Sequence, residues 1–174
     1  MDDQSTMGAP ATGLLRRLAA LVYDGLLLLA VLFLGTLALL PLTGGEAITP
    51  VTQGLGVYFA YRGYLALLAL GYFGLSWTRS GQTLGMMAWR IRLATATGGA
   101  IGWRTAAMRY AFGLALAVSA ESGFRLAYAS DFAARLLVAG ALLLPLLANF
   151  AWIPFEARGR SLQDLVCRSR IVRV

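Results

Sequence analysis

RRLAALVYDGLLLL, residues 16–29, sets two arginines at the mouth of an apolar run and places a single carboxylate, Asp24, inside it. The run stays apolar to about residue 42, and a helix of about twenty residues at about 1.5 Å each crosses about 30 Å of hydrocarbon. It is too long for the core of a cleaved signal peptide, so the mature chain is expected to keep it. Three further blocks follow at about 55–77, 105–120 and 132–155; the third is short and rich in Ala and Gly, and Pro145 is expected to bend the fourth. The expected fold is an all-α membrane protein, one domain over residues 1–174 with four transmembrane helices.

Composition points the same way. The chain is 59% hydrophobic and 13% charged with a mean hydropathy of +0.69, whereas a soluble domain is nearly half apolar and about a quarter charged. There is no histidine, and every basic residue is arginine. Arg16 and Arg17 precede the first block; Arg79, Arg90, Arg92, Arg104 and Arg109 fall between the second and third; Arg158, Arg160, Arg168, Arg170 and Arg173 follow the fourth. The other two connections carry Glu46, Glu121 and Asp131 against Arg125 alone. The positive-inside rule therefore puts both termini, the loop at about 79–104 and the segment 156–174 on the cytoplasmic side of the membrane. A pI near 10.3 then reflects topology and anionic lipid rather than nucleic acid.

The chemistry these residues exclude is broad. A lone Cys167 allows no disulfide within the chain, and without histidine neither a Ser/His triad nor a transition-metal site is expected. No phosphate-cradling glycine loop occurs, so no cofactor, no metal and no enzymatic activity are expected.

The central loop is the most patterned polar part. In GQTLGMMAW, Leu84, Met87 and Ile91 follow helical spacing and suggest a short helix on the membrane surface. WRIRLA then alternates at strand period toward the turn signal Gly98-Gly99, and the C-terminal SRIVRV reads as a second short strand. The two are expected to pair as a small cytoplasmic ribbon. Between the fourth block and that strand, Ser161 and Asp164 have capping-box spacing.

Together, RRLAALVYD, GQTLGMMAWRIRLATATGG and SLQDLVCRSRIVRV resemble the RDD family of small bacterial membrane proteins, over nearly the whole chain. The resemblance matches the family's arginine to Arg17 and its two aspartates to Asp24 and Asp164. Relatives usually carry His before the second aspartate, where this chain has Gln163, and a basic residue near Met86 or Met87. Roles implied by the resemblance centre on transport, with cation/proton antiport among them.

An ionised acid at membrane depth costs at least about 2.5–3.5 kcal/mol, so Asp24 is expected to face protein or water and to be paired, hydrated or protonated. Arg17 stands two turns away, about 10 Å along the axis, with its guanidinium expected to reach water or lipid phosphate. Arg109 is therefore the expected partner of Asp24, with Arg104 as the fallback, and Arg62 is expected to snorkel or stack among Tyr58, Tyr61 and Tyr64. Gly71/Gly74, Gly81/Gly85 and Gly113/Ala117 offer close helix contacts. Two readings stay open: a small ion transporter using an intramembrane carboxylate, or an accessory or scaffold subunit in which Arg17, Asp24, Arg109 and Asp164 form a polar lock. The expected partners are membrane lipid and either a second copy or a hetero-complex.

Overall fold

In the computed structural model, residues 13–129, 131, 138, 140, 144–145, 147–153 and 160–174 are described, with 123–129 as backbone only. Helix α1 (Leu14–Leu39) runs into a 3-10 turn (Leu40–Thr43), followed by α2 (Gly54–Arg79), short α3 (Leu84–Ala88), strand β1 (Ile91–Thr95), α4 (Trp103–Ala129), short α5 (Leu162–Val166) and strand β2 (Ser169–Arg173). Residues 144–145 and 147–151 are helical and belong to the fourth apolar block, the rest of which lies mostly outside the described residues.

The α4 helix is longer than the 105–120 expected, because the polar residues that seemed to end it are satisfied in place. Ser119 donates to the Ala115 carbonyl at 2.8 Å, and Glu121 accepts two hydrogen bonds from Arg62. Elsewhere the helices follow the blocks closely. Gly74 sits where an added Cβ would lie 2.6 Å from the Trp103 ring, which lets α4 close on α2.

The expected ribbon forms. β1 and β2 pair antiparallel, with Leu93 opposite Ile171 and Thr95 opposite Ser169. Ile91 and Leu93 turn inward and, with Ala20, Met86, Ile101 and Ala106, make the apolar core, against which Trp77 and Ile171 pack. This core lies at one end of the bundle, where α1 and α4 meet α3 and the ribbon.

Away from that end α1 is bare. Leu21, Val22, Leu26, Leu29, Phe33, Leu34 and Leu37 are all exposed, an apolar stripe far larger than water tolerates on a monomer. Among the described residues, one helix, Leu14–Thr43, is long and apolar enough to cross a membrane.

Candidate functional site

The polar centre is built from α1 outward. Arg17 and Asp24, two turns apart on one face, are both buried, and each reaches a different short helix. Arg17 does not reach solvent or lipid as expected: its Nη1 donates to Asp164 Oδ2 at 2.7 Å. Asp164 belongs to α5, where its carboxylate accepts from the Ser161 amide at 3.2 Å while the Ser161 hydroxyl accepts from the Asp164 amide at 3.2 Å. The sequence-predicted capping box is therefore present, and it is also an ion-pair centre.

Arg109 is not the partner of Asp24. Its Nη1 donates to Asp164 Oδ1 at 2.5 Å and to the Ser169 hydroxyl. The expectation failed because it compared depth along helices only. Asp164 sits at the start of α5 with no solvent exposure, and a carboxylate there must collect cationic donors, so it takes Arg109 as well as Arg17. Burial of Asp164 opposes its ionisation, but the charges of Arg109 and Arg17 and their hydrogen bonds outweigh it and hold the carboxyl below its usual range. Arg109 further lies over the Trp77 ring, 5.8 Å from its centroid, and its Nε is buried without a hydrogen-bond partner among the described residues.

Asp24, 5% exposed, takes only uncharged donors among the described residues. The Tyr72 hydroxyl and the Gly85 amide donate to Oδ1, each at 2.9 Å, and the Thr83 hydroxyl donates to Oδ2. Thr83 is the N-cap of α3, its hydroxyl accepting from the Met86 amide. The approach is possible because residue 85 is glycine: a Cβ there would lie 2.5 Å from the Ala20 carbonyl oxygen and 2.8 Å from the Asp24 carboxylate. Gly81, by contrast, is no helix contact but a turn residue at φ +72, wedged against Arg92 and the Leu93 carbonyl.

Asp24 also lines a cavity of about 120 Å³ shared with Arg17, Arg109, Thr83, Asn149, Ser161 and Gln163, its other described walls apolar. At about 10–15 Å³ per water this has room for several. Sequence reasoning missed Tyr72, Thr83, the Gly85 amide as a donor to Asp24, where only a close helix contact was expected, and Asn149. The first three carried a signal, since a carboxylate entering a helix bundle needs donors and Thr83 caps the nearest short helix.

A second polar contact crosses α2 and α4. Arg62 pairs with Glu121 through Nη1 at 2.7 Å and Nη2 at 2.5 Å, while stacking on Tyr58 at 5.9 Å. The aromatic stacking was expected; the carboxylate was not.

Cys167 is buried, and burial, the largest influence, pushes its thiol up. It is therefore expected to resist thiol reagents offered from either side of the membrane until the chain unfolds. Rapid labelling of Cys167 in the folded protein would show that the α5–β2 corner opens.

These elements are those of one family. The RDD family model matches residues 11–168, and the chain belongs to the RDD family, a family of membrane proteins. No curated protein and no solved structure matches it.

Proposed function

We propose that the chain is a four-span inner-membrane protein with both termini cytoplasmic that exchanges a small cation for a proton at Asp24. One observation carries this reading: Asp24 is a buried carboxylate on a cavity with room for several waters, held by a hydroxyl pair and an amide, with no salt bridge among the described residues. Intramembrane carboxylates of that kind are the usual ion-coupling groups. Asp164 has a different job, since its two arginines and its capping amide consume it. That triad favours the second reading, an accessory or scaffold subunit, for the part of the cluster it occupies.

Asp24→Asn should leave a folded, inserted protein and abolish cation-dependent pH change in reconstituted vesicles, with Asp24→Glu retaining part of it at a shifted pH dependence. Wild-type vesicles silent with Na⁺, K⁺ and Li⁺ alike would overturn exchange, and a fully active Asp24→Asn would make Asp24 structural. Topology is tested separately. Cysteines introduced at Thr43 or Gly44 in a Cys167→Ser background should react with an impermeant external reagent, and protection of both would overturn the assignment.

A further inference from the structure

The short helices α3 and α5 are the same object twice. Thr83 corresponds to Ser161, and the correspondence continues residue for residue through Thr95 and Arg173. The N-caps have φ −82, ψ 171 and φ −78, ψ 166; the C-caps Trp89 and Cys167 have φ −97, ψ 9 and φ −87, ψ 5. Each is followed by an arginine in the left-handed region, Arg90 at φ 51 and Arg168 at φ 48, which non-glycine residues seldom enter. The hydrogen bonds repeat too: Met87 to Thr83 and Leu165 to Ser161, Trp89 to Gly85 and Cys167 to Gln163, Arg90 to Met87 and Arg168 to Leu165.

Across the ribbon the amide of Val174 donates to Arg90 and, reciprocally, that of Ala96 to Arg168. Leu93 and Ile171 are equivalent and also paired, so a two-fold axis passes between them. The helices obey the same relation. Gly85 faces the Ala20 carbonyl, and its equivalent Gln163 donates to the Arg109 carbonyl at 2.8 Å. Asp24, four residues beyond Ala20, corresponds to Gly113, four beyond Arg109, and an added Cβ on Gly113 would lie 3.8 Å from the Gln163 side chain. In chain order α2 corresponds to the fourth apolar block, whose described residues 144–145 and 147–151 are helical.

The units differ where the chemistry lies. In the first, the second amide of the short helix, Gly85, is capped by Asp24 Oδ1 at 2.9 Å; in the second, the equivalent amide of Gln163 is capped by Asn149 Oδ1, also at 2.9 Å. An uncharged oxygen thus satisfies the backbone as well as a carboxylate does, and the charge on Asp24 is surplus to that task. Both oxygen-bearing residues are buried and both line the same cavity, together with Thr83 and Ser161, Leu93 and Ile171, and with Arg17 and Arg109, the two cations that Asp164 pairs.

We propose that the chain is a duplicated helix–helix–short helix–strand unit and that the cavity between the copies is one site for a hard monovalent cation, to which the first unit presents Asp24 and the second Asn149. Carboxylate, amide and hydroxyl oxygens are the donors such cations take. The proposal rests on the exchange reading and adds a second ligand and an axis to it.

The test uses the full-length chain in mild detergent and in vesicles, with NaCl, KCl and LiCl as probes. Asp24→Asn should fold and lose both the cation-dependent rise in Tm and exchange. Asn149→Asp, with two carboxylates in one cavity, should have a lower Tm without added cation and a larger rise with it. D24N/N149D moves the charge across the axis at unchanged net charge and should regain cation dependence. Asn149→Ser, which retracts the oxygen, should raise the cation midpoint several-fold. If wild type responds to cation but the exchanged variant behaves like Asp24→Asn, or Asn149→Ser keeps the wild-type midpoint, the axial site is wrong while exchange at Asp24 stands. If wild type itself shows no response to any of the three salts, both fall together.

Discussion

Asp164→Ala is expected to destabilise the folded chain by about 3–5 kcal/mol, the usual cost of removing one partner from a buried ion pair. The loss has two sources. Arg17 and Arg109, whose side chains are only 4% and 5% exposed, lose the carboxylate that bridges them, and α5 loses the carboxylate of its capping box. Asp164→Asn, which keeps an oxygen for the Ser161 amide, should remove only the first. Denaturation in mild detergent followed by circular dichroism measures both, and a loss below about 1 kcal/mol for the alanine variant would mean that the triad does not hold the fold. The pH dependence has a fixed sign. The folded-state carboxyl lies below its ordinary 3.8, so its contribution is complete above that value and disappears as pH falls through the lower, folded-state value. Wild type should lose stability on acidification in that range, and Asp164→Ala should lack this component.

Gly85→Val should cost about 3 kcal/mol, at the upper end for overpacking, because nothing at the site can yield cheaply. The new side chain meets the α1 backbone at Ala20 and the Asp24 carboxylate together. Relief requires α3 to lift away, which strips Asp24 of its amide donor and uncovers Met86, Ile91 and Leu93 in the core. Ala at the same position should cost less but still clearly, whereas Gly113→Ala, with its nearest neighbour at 3.8 Å, should be nearly neutral. Equal effects at the two positions would remove the close contact between α1 and α3 as a determinant of stability.

Much of this was legible. Apolar block lengths gave α1 and α2 within a few residues, and the alternation Trp89-Arg90-Ile91-Arg92-Leu93 together with SRIVRV gave both strands and their pairing. Those signals are local, and period alone carries them. The four polar residues singled out do converge on one end of the bundle, but their pairing was misread. Choosing between Asp24 and Asp164 as the acceptor for Arg109 depends on how α5 docks, and side-chain reach along a single helix axis says nothing about that. For Arg62 the stacking on Tyr58 was legible and the ion pair was not, because Glu121 looked like the end of a helix and is instead inside one. The duplication left a faint trace, Leu84, Arg90 and Arg92 matching Leu162, Arg168 and Arg170, too sparse to stand out without the shared backbone conformation.

The triad also sets an order of events during synthesis. Arg17 must wait 147 residues for the carboxylate it finally binds, on the order of ten seconds at about 5–20 residues per second. Through that interval α1 can be threaded into the bilayer while its guanidinium stays with water and lipid phosphate. Only when α5 emerges is Asp164 there to pair with Arg17 and Arg109. A ribosome stalled after α4 would therefore hold a chain whose arginines still anchor it at the surface, and release of the C-terminal segment is the step that closes the bundle end.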